Sequence, residues 1–328
     1  MIGSRYFPLA TTFVIFLLAY ALCYLQFPNM LSTRVVGNLL TDNAFLGIAA
    51  VGMTFVIISG GIDLSIGSVI AFSGVFLAVS MGDWGVPPVL AFALLLAIAT
   101  GFGAVMGAMI HYLAMPAFIV TLAGMFFARG MAFLISTQSV PISQPIYTAM
   151  QGIYWKMPGG GRLTFIGMVM VAVFIVGIVI AQRTRFGRYV YALGGNRQSA
   201  ELMGVPVAST TIGIYALSSF LAGLSGIVFS LYTSAGYSLA AVGVELDAIA
   251  AVVIGGTLLT GGSGFVAGTF LGILIMGLIQ TYIVFDGTLS SWWTKIVIGL
   301  LLFAFIALQR GLVWLSERRG GVPRGAAA

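Results

Sequence analysis

The chain has 328 residues, of which 60% are hydrophobic and only 7% charged, and its 14 Lys+Arg and 8 Asp+Glu cannot coat a water-facing surface of this size. A soluble domain carries about 25% charged residues, so most of this surface must face lipid. One cysteine, Cys23, and one histidine, His111, leave no internal disulfide, no His/Cys metal cage of the usual kind and no evident Ser-His-Asp triad.

The apolar run from Leu9 to Phe27 follows Arg5. It is long for a signal peptide and no small-x-small cleavage site follows, so it reads as the first spanning helix. The next runs are Ala44 to Ser59, ending at Gly60-Gly61, then Leu64 to Met81, Pro88 to Ile110 and Pro116 to Ile135, the last two joined by a His111 to Met115 connection. The polar stretch Ser136 to Arg162 holds Pro141, Pro145, Pro158 and Gly159-Gly160-Gly161, and reads as a loop over 137–162, too short for a separate domain. Leu163 to Ala181 is the sixth run, and a second polar stretch, 182–209, follows it. Thr210 to Thr233, Asp247 to Thr260, Phe265 to Phe285 and Ser291 to Leu308 complete the set. At about 20 residues per span, these runs predict an all-α polytopic membrane protein of about ten transmembrane helices, organised as one domain over 1–328. Unbroken apolar runs exclude the alternation of a spanning barrel, and 44 glycines suit closely packed membrane helices.

The basic residues give an orientation. With the amino terminus inside, Arg5, Arg183, Arg185, Arg188, Arg197 and the tail residues Arg310, Arg318, Arg319 and Arg324 fall in the cytoplasm, nine against three outside (Arg34, Lys156, Arg162). Both termini are therefore expected in the cytoplasm and loop 137–162 in the periplasm. Charge placed at span ends in this way suits a bilayer rather than nucleic acid.

An internal repeat appears at an offset of 201 residues: Ala50-Val51 through Ser59-Gly60-Gly61 to Gly67-Ser68 lines up with Ala251-Val252 through Thr260-Gly261-Gly262 to Gly268-Thr269. Six spans separate the copies, so they are expected to run parallel. Matching Gly-interrupted segments point to a transport pathway; simple tight turns are the competing reading. Asp63, after the first break, either caps the helix that follows, hinges a gate or binds a cation, and Gly264 in the second copy supplies no matching ligand. Arg129 lies within the fifth span and either contacts a ligand or forms a structural ion pair. Lys295 is expected to snorkel to the interface, beside an aromatic belt at Trp292 and Trp293.

No spanning run carries an Asp/Glu/His relay of the kind proton-coupled transporters use, and no Gly-x-x-x-x-Gly-Lys-Ser/Thr phosphate loop is present. If ATP drives transport, another subunit supplies it. The 182–209 loop offers a contact for that subunit: Asn196 is a good N-cap, Arg197 to Met203 is helix-competent, Gly204 suits the C′ position and Pro206 bars continuation. The small apolar face of this helix (Ala200, Leu202, Met203) favours docking to a partner over lying on lipid.

Three segments in order, Ser59–Ser68, Gly194–Gly204 and Asp247–Gly264, resemble the permease subunits of ribose-type ABC sugar importers, nearly over the whole chain. Pro158-Gly159-Gly160-Gly161-Arg162-Leu163 and Phe285-Asp286-Gly287-Thr288-Leu289-Ser290-Ser291-Trp292-Trp293-Thr294-Lys295 look closest to one of the two permeases of the galactofuranose importer. The resemblance implies a bacterial inner-membrane subunit without cofactor or enzymatic activity of its own. Its partners would be ABC ATPase subunits, a second permease chain (a sister or itself) and a periplasmic sugar-binding protein. Another monosaccharide such as ribose, or a branched-chain amino acid, is the alternative cargo. Coupling to the ATPase is expected through Asn196, Arg197, Ser199, Ala200, Glu201 and Gly204, with Ser199 and Ala200 as a small-residue docking surface. Gly60, Gly61, Asp63, Gly261 and Gly262 are expected to shape the pathway or gate. Asn43, Thr54, Gln280, Tyr282 and Trp292 are candidate sugar contacts, chosen for polarity or aromaticity near the outer half of the spans.

Overall fold

The computed structural model describes residues 7–290 and 292–319. Arg5, Arg324, Ser291 and both chain ends lie outside the described residues. The first apolar run becomes α1 (Phe7–Gln26). A helix that the sequence reading missed follows, α2 (Thr33–Asp42), started by Ser32, whose Oγ accepts from the Val35 N–H. Its Arg34, Asn38 and Asp42 interrupt the apolar pattern, so no apolar run marks it. It meets α3 (Ala44–Ile58) at a bend of 58°. Next come α4 (Ile66–Gly82), α5 (Pro88–Tyr112) and α6 (Ala117–Ile135). His111 therefore sits in the last turn of α5, not in a connection.

The 137–162 loop is more ordered than its prolines and glycines suggest. It holds β1 (Val140–Pro141), α7 (Pro145–Gln151) and β2 (Tyr154–Lys156). β3 (Arg162–Thr164) pairs antiparallel with β2, Trp155 opposite Leu163, and leads directly into α8 (Phe165–Arg183). Tyr147 of α7 is buried and shares a 2.9 Å hydrogen bond with Ser230. Burial pushes its phenol up to about 12, so the proton stays on at neutral pH. The arginine loop forms two helices, α9 (Arg185–Gly195) and α10 (Arg197–Leu202). Then follow α11 (Val207–Thr233), β4 (Ala235–Gly236), α12 (Val244–Ile254), α13 (Val266–Asp286) and α14 (Trp292–Arg319). β4 pairs with β1, Gly236 opposite Val140.

Every residue of α3 except Phe45 is buried. A helix apolar all round belongs in the centre of a bundle, and α3 is packed on by α8, α11, α12 and α13. α11 in turn packs on α5 and α4, and α4 on α6.

Among the described residues, six helices are long and apolar enough to cross a membrane (α1, α5, α6, α8, α11, α13), and the bent pair α2–α3 makes a seventh if it is one span. Each of the ten apolar runs falls on a helix, but the count of ten is not carried by helix length. α4 and the apolar part of α14 are shorter, and α12 has 11 residues, about 16 Å at 1.5 Å per residue. The run expected to continue to Thr260 instead stops at Gly255-Gly256, where Gly256 takes a φ of +89°.

Candidate functional site

The structure brings three glycine doublets to one point. Gly60 and Gly261 both adopt left-handed backbone, with φ of +84° and +86°, and Gly262 does so at +74°. A Cβ on Gly261 would lie 2.9 Å from Gly60 Cα, and the Gly262 N–H donates to the carbonyl of Ile58, the last residue of α3, over 2.8 Å. The third doublet, Gly194-Gly195, closes α9 immediately before the Asn196 cap. A Cβ on Gly194 would collide with the Ile58 carbonyl and come within 2.5 Å of Gly262 N. The foot of the 182–209 loop is thus seated against both Gly-Gly breaks by backbone alone. The sequence reading named the two breaks but not Gly194-Gly195; the doublet itself was the signal, since two glycines at a helix C-terminus exceed what a single C′ position needs.

Asn196 stands at the N-cap of α10, its Oδ1 accepting from the Ser199 N–H at 2.8 Å, and Gly204 takes a φ of +79° after the helix. The helix ends at Leu202, one residue short of the expected Met203. The docking surface needs correction. Ala200 is buried, 1% exposed, facing its own chain, so it is no part of an outer surface with the exposed Ser199. The outward apolar tips are Leu202, 86% exposed, and Met203, 73% exposed. Arg197 and Glu201 are also exposed. The Arg197 guanidinium lies 3.0 Å from His111 Nδ1, joining α10 to the end of α5. Between them, a cavity of about 420 Å³ is bounded by Ser59, Gly60, Gly61, His111, Arg197 and Tyr215.

Asp63 is fully buried. Its Oδ1 accepts from the Ser65 N–H at 3.0 Å and the Ser65 hydroxyl at 2.6 Å, and its Oδ2 accepts from Ser218 of α11 at 2.7 Å. The helix after it begins at Ile66, with Ser65 in the cap position, so Asp63 does not cap a helix starting at Leu64. It makes an Asx-type turn that ties the first break to the middle of α11. With both oxygens engaged by hydroxyls, it is placed as a structural tie.

Arg129 forms no ion pair among the described residues. Its Nη1 donates to the carbonyls of Ser238, at 2.6 Å, and Ala240, at 2.7 Å, in the segment between β4 and α12. Lys295 does not snorkel alone: its ammonium pairs with Asp247 of α12 at 2.6 Å.

The five candidate sugar contacts do not meet. Asn43 is buried at the α2–α3 bend, where its amide donates to Leu39 O at 2.9 Å. Thr54 is buried too, donating to Ala50 O at 2.6 Å and sharing a 2.8 Å hydrogen bond with Thr269. Tyr282 is tied to α1 through Gln26 at 2.9 Å. Gln280 is exposed, and Trp292 is 75% exposed.

A kinked helix bundle with a short capped helix wedged against paired glycine breaks suits a membrane domain driven by a partner. A family model described as a branched-chain amino acid transport system permease component matches residues 35–306. The ribose import permease protein RbsC of Escherichia coli K12 is 36% identical over 90% of this chain and 93% of its own length. The chain belongs to the ribose-type ABC sugar importer permeases. The permease is also 64% identical to the inner membrane ABC transporter permease protein YjfF of Escherichia coli K12, over 98% of this chain and 97% of that one. The fructose import permease protein FruG of Bifidobacterium longum is 38% identical over 93% and 91%. No solved structure matches. As a member of this family the permease is a multi-pass transport subunit rather than an enzyme, and membership implies an ATPase and a binding protein as partners.

Proposed function

We propose that this permease carries galactofuranose into the cell as one of two membrane subunits of a binding-protein-dependent importer, driven through α10 by a separate ATPase. The observation that carries the coupling assignment is the seating of Gly194 against Ile58 and Gly262: movement of α10 reaches both Gly-Gly breaks through backbone contact, with no flexible side chain between. The sugar assignment rests on the segments Pro158–Leu163 and Phe285–Lys295. The fructose and ribose permeases among the relatives support a monosaccharide over a branched-chain amino acid. The sister permease is a second, related chain, and both termini are cytoplasmic.

Uptake tests the cargo. A strain carrying the permease with its sister, ATPase and binding protein should accumulate labelled galactofuranose, with ribose, fructose and leucine competing at least tenfold less well. Competition by ribose or leucine at equal concentration would move the cargo to that solute. Orientation is tested separately with an impermeant thiol reagent on intact cells carrying Cys23→Ser. Cysteine at the exposed Ser139 should react, and cysteine at the exposed Ser199 should react only after the cells are opened. The reverse pattern would overturn the orientation.

A further inference from the structure

Between β4 and α12 the chain does something unusual for a membrane domain. After α11 it neither leaves the bundle nor resumes a helix at once. The Gly236 backbone lies over Gly74 of α4, where a Cβ would be 3.5 Å from Gly236 Cα, and the Ala241 carbonyl and Glu245 carboxylate lie over Gly67, seven positions earlier on α4. Seven positions correspond to about 10 Å along a helix. Residues 236–243 therefore descend beside α4 as a series of turns, with the Ala240 N–H donating to Tyr237 O at 3.0 Å, rather than as a helix, and α12 starts only at the bottom of that descent. Arg129, six residues inside the end of α6, holds the segment by the Ser238 and Ala240 carbonyls. Ala241, with a φ of +56°, and Gly243, with +85°, turn the chain into α12.

Non-helical backbone at membrane depth is tolerated where it is buried in protein or lines water, not where it meets lipid. One side of this segment is covered by α4 and α6. The other is open: Leu239 and Val242 are 50% and 67% exposed, as is Leu246 in the first turn of α12, at 62%. Beside it stands the Asp247–Lys295 pair, with side chains 20% and 55% exposed. An ion pair open on the flank of a membrane domain is costly against hydrocarbon and belongs in a polar passage. Trp292 lies three residues before Lys295 on α14, on the same helix face, and is 75% exposed. A carboxylate, an ammonium and a flat aromatic face are what a neutral polyhydroxyl ligand needs: an acceptor and a donor for its hydroxyls, and a surface for its C–H groups.

We propose that the segment Gly236–Gly243, with the Asp247–Lys295 pair and Trp292 beside it, is the wall along which the sugar passes through the outer half of the membrane. This rests on the importer reading above and adds the contact residues to it. Arg129 is a positioning residue that keeps the wall's carbonyls in place. Of the five contacts expected from sequence, only Trp292 belongs to this wall.

The test uses the complete importer in membranes, with Cys23→Ser and single cysteines at Val242, Leu246 and, as a control on the open face of α5, Leu94. A charged methanethiosulfonate should modify Val242→Cys and Leu246→Cys and leave Leu94→Cys untouched, and modification should stop uptake. Reaction at all three positions, or at neither 242 nor 246, overturns the wall. Asp247→Asn and Lys295→Gln should each reduce uptake at least tenfold while the ATPase still co-purifies, and wild-type uptake by both overturns their contact role. Thiol reactivity does not depend on the cargo. Reactive positions in an importer that takes up no monosaccharide would therefore refute the sugar reading and leave the wall standing.

Discussion

Valine in place of Gly194 or Gly262 is expected to abolish uptake while the permease still inserts in the membrane. At Gly194 the added carbon has no room, since it would run into the Ile58 carbonyl and sit 2.5 Å from Gly262 N. At Gly262 two costs combine. Its φ of +74° is left-handed, a conformation that costs an L-residue about 1–2 kcal/mol and a β-branched one more. Its Cβ would also lie 2.9 Å from Gly195 Cα. Either change pries the foot of α10 away from the breaks, so transport should fall at least tenfold. Gly195→Ala is the matched control, because a Cβ there meets nothing within 4 Å and its φ is not left-handed. The comparison is made by uptake normalised to membrane-inserted protein. Equal uptake by Gly194→Val and Gly195→Ala would remove the glycine junction from the mechanism.

The second large effect belongs to the tip of α10. Leu202 and Met203 leave most of their surface uncovered by their own chain, and burying a side chain of this kind contributes about 1.5–3 kcal/mol. Leu202→Asp with Met203→Asp removes that contribution and places two carboxylates where a partner must dehydrate them. Nothing inside the permease depends on either tip. Insertion should be normal, while co-purification of the ATPase falls at least tenfold, since about 1.4 kcal/mol is already a factor of ten. Ala200→Arg is not an equivalent test. With Ala200 1% exposed, a guanidinium there disrupts the packing of α10 on its own chain, and loss of transport would report damage rather than lost docking.

Much of this was legible in the sequence, for physical reasons. Lipid imposes unbroken apolar runs, so the membrane class and the place of the ten apolar helices followed from composition and spacing, while the more polar α2, α7 and α9 did not. Asn196 and Gly204 announced α10 because capping chemistry is local: a side-chain acceptor at one end and a left-handed residue at the other. The two Gly-Gly breaks were legible because a positive φ leaves few other choices of residue. What the sequence could not supply was pairing. Thr54 looked like a polar group awaiting a sugar, but its hydroxyl is satisfied by Ala50 and Thr269. Lys295 looked free until α12 placed Asp247 beside it. Ala200 looked like docking surface because a six-residue helix shows too few positions to tell its inner face from its outer one. The 236–243 segment was invisible as a feature, since a chain descending through a bundle without helix has no periodicity to read.

In the function proposed above, ATP-derived force enters the permease at α10. A photo-reactive benzophenone attached to cysteine at Leu202, in Cys23→Ser, tests it in the assembled importer in native membranes. A cross-link to the ATPase subunit is expected, lost when the same probe is moved to Leu94. Cross-linking at Leu202 to lipid alone, with the ATPase unlabelled in an importer that still transports, would contradict it.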